Sequence, residues 1–158
     1  MAKLHIGDSA PDFELEGTRS QTHRLADYRG SGVILAFYPG DFTPVCTKQF
    51  CSYAERADDM NTLPATVVGI SGQDVDSHTA FQSKHSIPVP LLADTDKSVA
   101  KAYGVSMPVR GTRRAVIVVD EDGIIRHYFV HRLGLDFQTV DEIRAVLDEL
   151  PQPAGSTD

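Results

Sequence analysis

The sequence predicts an α/β fold, a mixed central sheet flanked by helices with extra β-structure at the N-terminus. Three observations carry this. Residues 32–38 (GVILAFY) and 65–71 (ATVVGIS) are continuous apolar runs of strand length, the pattern of strands buried on both faces. Helical segments follow each of them. A third run, 115–120 (AVIVVD), is joined to residues 124–130 by Glu121-Asp122-Gly123, which reads as a hairpin turn.

Taken in order, residues 12–16 and 21–25 read as short strands around Gly17-Thr18-Arg19-Ser20. A helix is expected over 44–60, a second over 76–85, and a short one over 97–103 that stops at Gly104. The last helix spans 139–150. The order β-α-β-α-β-β-α, with added N-terminal strands, is the one a thioredoxin-like fold gives, though fold alone does not fix function. Residues 1–150 are expected to form one domain. The tail 151–158 lacks large apolar residues and is expected to be disordered.

A chain of 158 residues can bury roughly two-thirds of its unfolded surface. Its net charge of −7 argues against a generic nucleic-acid partner, which requires a basic face. No signal-peptide core and no membrane-length apolar run is present, so a cytoplasmic location away from the membrane is expected. Two cysteines do not make a disulfide scaffold; in a reducing compartment a close pair points to redox chemistry or metal binding.

The informative segment is 37–51, FYPGDFTPVCTKQFC, which links the central strand to the first long helix. Open α/β sheets place ligand sites at such a junction. Thr43-Pro44 is a helix start, with Thr as N-cap and Pro at the first helical position. Cys46 then falls in the first turn, where unpaired amides and the positive end of the helix dipole favour a thiolate, the nucleophilic form. The Thr43 hydroxyl is expected to accept from a backbone amide while donating to sulfur or to a substrate oxygen. Pro39 and Pro44 stiffen the loop and shield the sulfur.

Cys51 lies five residues further on. On an ideal helix that spacing separates the two Cα atoms by ~8.6 Å, beyond the ~7 Å a disulfide tolerates. A bond between them therefore requires the first turns of the helix to unwind. Phe50, Tyr53, Ala54 and Ala57 share a face with Cys46 and read as core.

Pro39-x-x-x-Thr43-x-x-Cys46 matches the peroxiredoxin signature, and FYPGDFTPVCT resembles that family at nearly every position. A second cysteine five residues on resembles the bacterioferritin-comigratory, or Q-type, subgroup. Further resemblances are Ala10-Pro11-Asp12-Phe13, Pro90-Leu91-Leu92-Ala93-Asp94, Ala102-Tyr103-Gly104-Val105 and Arg114 before AVIVVD, so the likeness covers most of 8–150. The resemblance implies a thiol peroxidase in which Cys46 attacks hydrogen peroxide or an alkyl hydroperoxide and becomes a sulfenic acid. Arg114 holds thiolate and peroxide, Thr43 orients the oxygens, and Pro39 packs and shields. Cys51 resolves the sulfenic acid as an intramolecular disulfide, and thioredoxin or a similar dithiol donor recycles it. Relatives occur as monomers and small homodimers. Arg113 is a rival for the arginine role, and only spacing prefers Arg114. Two positions depart from the family: Gln49 stands where many relatives have Glu, and Ala-Val-Ile follows Arg114 in place of hydroxyl and aromatic residues.

Other readings carry less. His127 and His131 have the spacing of helical metal ligands but lie in a predicted strand, about 13 Å apart. The loop from Asp94 to Ser98 lacks the later positions of a calcium loop and reads as a helix-capping turn. No Walker A, dinucleotide fingerprint or serine elbow is present, so cofactor-free, metal-free chemistry is expected. A redox-sensing interaction module and a zinc domain on Cys46 and Cys51 are the alternatives; a thioredoxin-type reductase lacks its C-x-x-C spacing.

Overall fold

In a computed structural model, residues 4–63, 65–107, 111–131 and 137–149 are described. The expected tail, 151–158, lies outside them. The strands are β1 (Glu14–Gly17), β2 (Gln21–Arg24), β3 (Val33–Phe37), β4 (Thr66–Ser71), β5 (Leu91–Ala93), β6 (Ser106–Met107), β7 (Gly111–Thr112), β8 (Ala115–Val119) and β9 (Ile125–Val130). The helices are α1 (Pro44–Glu55), α2 (Ala57–Asn61), α3 (Val75–His85), α4 (Ser98–Ala102) and α5 (Val140–Glu149).

Seven strands form one sheet in the order β2-β1-β5-β4-β3-β8-β9. β3, β4 and β5 run parallel, whereas β8 lies antiparallel to β3 and the β1–β2 hairpin antiparallel to β5. The mixed sheet agrees with the expectation; β5 and the small β6–β7 ribbon do not appear in it. β5 has three residues preceded by Pro88 and Pro90, too short and too interrupted to register as a strand pattern. The expected helix 44–60 is two helices, broken at Arg56, whose backbone leaves the helical region (φ −116°, ψ 39°) while its guanidinium bridges Asp59 and Asp141.

Strand alternation sorts the apolar residues into two cores. Val33, Leu35 and Phe37 of β3 share one core with Ala115, Ile117 and Val119 of β8. Ile34, Ala36 and Tyr38 face the other, with Val116 and Val118, and there they meet Cys46, Phe50 and Tyr53. The sheet face that receives α1 is therefore set by even-numbered positions on both strands.

Candidate active site

The β3–β8 register pairs Phe37 with Ala115, so the end of β3 and the start of β8 meet at one end of these two interior strands. One residue beyond that pair stand Tyr38 and Arg114. By alternation Arg114 belongs to the α1 face and Arg113 to the opposite one. Of the two arginines, Arg114 is the one that meets Cys46: it is 2% exposed, and its Nη2 donates to the Cys46 sulfur at 3.2 Å.

Cys46 is the third residue of α1 and has no solvent exposure. Helix formation begins with the Thr47 amide donating to the Thr43 carbonyl at 2.8 Å, with Pro44 in the first turn. The first-turn position expected for Cys46 is thus present, and a charged donor faces its sulfur.

Gln49, one turn further along α1, accepts from Arg114 Nη1. Its amide nitrogen donates to the Tyr53 hydroxyl at 3.0 Å, and Tyr53 donates to the Gln138 carbonyl at 2.8 Å. The side chains joined by these bonds, Cys46, Arg114, Gln49 and Tyr53, are all buried. Burial pushes the Tyr53 hydroxyl up to about 12, so at neutral pH it keeps the proton that the Gln138 bond needs. A glutamate at 49 would accept from Arg114 but could not donate to Tyr53. The neutral amide therefore suits both neighbours. Among the described residues the Arg114 Nε–H has no acceptor.

Thr43 occupies the N-cap position, half-buried, but its hydroxyl does not act as expected. It makes no capping bond; it donates to the Gly40 carbonyl at 3.0 Å. The cause is the tight turn at Asp41-Phe42, where Phe42 adopts a left-handed backbone (φ 63°) and folds the loop back beneath Thr43. A carbonyl can only accept, so the hydroxyl proton is committed and the oxygen lone pairs remain available. Pro39 is half-buried in the bend after β3.

The loop is held by residues that sequence reasoning did not single out. Asp41 accepts from Tyr38 at 2.7 Å, Ser77 at 2.7 Å and His78 Nδ1 at 2.7 Å, and its amide donates to Gln73 at 2.6 Å. His78 Nε2 donates to the Leu92 carbonyl at 2.9 Å. His78 Nδ1 also lies 3.3 Å from the Tyr38 hydroxyl, so the ring is held from both sides. Burial pushes the Asp41 carboxyl up, but the bonds from His78, Tyr38 and Ser77 outweigh it and hold it below its ordinary value. A Cβ at Gly40 would lie 2.8 Å from the Gln73 amide nitrogen and would push aside the side chain that accepts from the Asp41 amide. The signal available in the sequence was spacing: His78, Phe81 and His85 form an i, i+3, i+7 stripe along one face of α3.

Cys51 is partly buried on the same helix as Cys46, and both thiols are free. Its sulfur lies 3.3 Å from His85 Nδ1. Asp94 accepts from the amides of Val99 and Ala100 at 3.1 and 2.8 Å, capping α4 as the turn reading expected. His127 lies in β9, and no metal-holding group of side chains is found among the described residues.

A buried cysteine at a helix start, faced by a buried arginine, is a candidate site for thiol chemistry, and the chain was compared with known proteins. Residues 6–128 match the model of the AhpC/TSA family. The chain belongs to the AhpC/TSA family as a peroxiredoxin of the Bcp/Q type. It is 33% identical to peroxiredoxin Bcp of Bacillus subtilis over 127 residues, covering 76% of this chain and 81% of that one. A putative peroxiredoxin of Mycobacterium tuberculosis is 38% identical over 141 residues, covering 84% and 90%. The fold superposes on peroxidoxin BcpB of Mycobacterium tuberculosis with a TM-score of 0.81 at 28% identity, covering 93% of this chain and 98% of that one. Reduced 2-Cys peroxiredoxin of Plasmodium vivax gives 0.82 at 27% identity, covering 92% and 95%. The fold is thus thioredoxin-like, and the protein is a thiol-dependent peroxidase. Peroxiredoxins act on peroxides with thioredoxin-type reductants. No helix among the described residues is long and apolar enough to cross a membrane.

Proposed function

We propose that peroxide reduction runs through Cys46, and the observation that carries this is the Arg114 Nη2 to Cys46 sulfur contact of 3.2 Å. The Cys46 thiolate attacks the terminal peroxide oxygen; the O–O bond breaks, Cys46 becomes a sulfenic acid, and the departing oxygen takes a proton to leave as water or alcohol. Arg114 stabilises sulfur before the reaction and the charge moving onto oxygen during it, in a site closed to water where such a donor acts strongly. The Thr43 oxygen accepts from the peroxide O–H and sets its direction. Pro39 shields the sulfur. Because Cys46 has no solvent exposure, peroxide enters only as the 39–43 loop or the first turn of α1 shifts.

Cys51 then attacks the Cys46 sulfenic acid, giving an intramolecular disulfide and water, and a thioredoxin-like dithiol donor restores both thiols. Both cysteines sit on α1, so the ideal-helix separation of ~8.6 Å stands and the first turns must unwind. The substrates are hydrogen peroxide and alkyl hydroperoxides. The domain is taken as 1–150 with 151–158 as a tail, the working form as a monomer or homodimer, and the location as the cytosol, where two free thiols suit a reducing compartment.

The test is peroxide consumption coupled to a thioredoxin system, with non-reducing gels and mass-spectrometric mapping of the oxidised product. Cys46→Ser is expected to abolish turnover, and Cys51→Ser to form a sulfenic acid that recycles poorly. An intermolecular disulfide as the wild-type product would overturn the intramolecular route.

A further inference from the structure

We infer that His85 is a catalytic residue of the resolving step, taking the proton of Cys51 as that thiol attacks the Cys46 sulfenic acid. This rests on the reading of Cys51 as the resolving thiol.

The His85 Nδ1 atom lies 3.3 Å from the Cys51 sulfur, a contact between α3 and α1. The imidazole is not loosely placed. The Phe81 ring meets it edge-on at 5.4 Å between centroids, and the Phe42 ring lies at 6.4 Å on the side of the 39–43 loop. Phe42 and Phe81 pack against each other at 5.1 Å, so two rings and one sulfur fix the third ring. His85 is the last residue of α3, and the carbonyl end of a helix stabilises the imidazolium that proton transfer creates.

The position also fits the required motion. Phe50 and Tyr53, on either side of Cys51, have no solvent exposure and anchor the later turns of α1. Cys46 is therefore the partner that moves when the first turn unwinds, and Cys51 waits beside its base. In the step itself the Cys51 S–H proton passes to Nδ1 and the sulfur lone pair forms the S–S bond. The Cys46 S–O bond breaks, and the oxygen leaves with its own proton and the transferred one as water. No other oxidant or reductant is consumed.

The charged groups around the pair are Lys84 on α3, whose Nζ lies 5.9 Å from the Phe42 centroid, and Lys48 and Glu55, one turn to either side of Cys51 on α1. The buried Asp41–His78 pair lies two turns back along α3. None of these touches Cys51 among the hydrogen bonds and ion pairs of the described residues.

The experiment is a single turnover of reduced full-length protein with one equivalent of hydrogen peroxide. Samples are quenched in time and scored by mass spectrometry for trapped Cys46 sulfenic acid and for the Cys46–Cys51 disulfide, so resolution is read relative to the first step. His85→Gln keeps hydrogen-bonding atoms but cannot take up a proton; His85→Ala removes the ring and leaves space for free imidazole. Both are expected to slow disulfide formation at least about tenfold near pH 6.5, as for loss of a general base. The deficit is expected to close at about pH 9.5, above the ordinary ionisation of a cysteine thiol. Free imidazole is expected to restore His85→Ala in proportion to its concentration. Disulfide formation that is unchanged or faster in both variants, or a deficit equal at both pH values and insensitive to imidazole, overturns the role of His85 alone. Absence of a Cys46–Cys51 disulfide in the wild type overturns the Cys51 reading, and this inference with it.

Discussion

Arg114 Nη2 stands 3.2 Å from the Cys46 sulfur, with both side chains out of solvent and the arginine's other terminal nitrogen held by Gln49. The contact needs no contribution from loop placement. It follows from the Phe37–Ala115 register, which brings the start of β8 beside the end of β3, and from the alternation that turns Arg114 toward α1. The arginine directly precedes β8, its carbonyl accepting from the His131 amide, and the helix brings the cysteine to it.

Arg114→Ala is expected to lower kcat/KM for peroxide by about 10²–10³, the range for losing a preorganised donor at developing charge. Arg114→Lys keeps the charge but not the fork that reaches Cys46 and Gln49 together, so it should recover only part of the loss. Stopped-flow measurement of the first step checks both. Equal rates in Arg114→Ala and wild type would remove Arg114 from the mechanism.

Gln49→Leu should cost about 1–3 kcal/mol of stability, because it leaves a buried Arg114 donor without its acceptor. Its first-step rate should fall as the guanidinium loosens. Gln49→Glu restores the acceptor and should keep more activity than Gln49→Leu. Paired urea denaturation and peroxide kinetics on the two variants test this order.

The Thr43 hydroxyl donates to Gly40, leaving its oxygen to accept from substrate. Thr43→Ser should stay near wild-type rate. Thr43→Val should lose about tenfold in kcat/KM, the kinetic equivalent of one hydrogen bond. A Thr43→Val enzyme with unchanged kcat/KM would assign the hydroxyl to loop structure alone.

Asp41→Asn should destabilise the fold by about 1–3 kcal/mol at pH 7, since the buried donors of Tyr38, Ser77 and His78 lose the carboxylate that accepts from all three. The Asp41 carboxyl is held below its ordinary value, so its contribution is present above the unfolded value of about 3.9 and disappears as pH falls through the lower folded value. Wild type should therefore lose more stability than Asp41→Asn as the pH drops below about 4. Thermal unfolding of both proteins across that range is the check; parallel curves would contradict it.

Much of this architecture was legible because long apolar runs and a Thr-Pro helix start are strong local signals. β3, β4, β8, β9 and the start of α1 fall where periodicity places them. β5 did not register, since a three-residue strand that follows Pro88 and Pro90 takes its structure from pairing with Gly69, Ile70 and Ser71 of β4. Cys46 was legible from its own helix turn. Arg114 needed tertiary information: spacing nominated it, but only the facing of β8 against α1 separates it from Arg113. The Thr43 hydroxyl was misjudged because the left-handed turn at Phe42, unusual for an aromatic residue, cannot be read from composition. Asp41 meets His78, and Cys51 meets His85, only when α3 packs across the loop and α1, contacts between residues 37 and 34 positions apart.

Peroxide attack by the Cys46 thiol has one direct test. Reduced wild type, Cys46→Ser and Cys51→Ser should each be treated with one equivalent of hydrogen peroxide beside a sulfenic-acid trap, and the adduct located by mass spectrometry. An adduct is expected on Cys46 in Cys51→Ser, a transient one in wild type, and none at either position in Cys46→Ser. An adduct on Cys51 in Cys46→Ser, with peroxide still consumed, would contradict it.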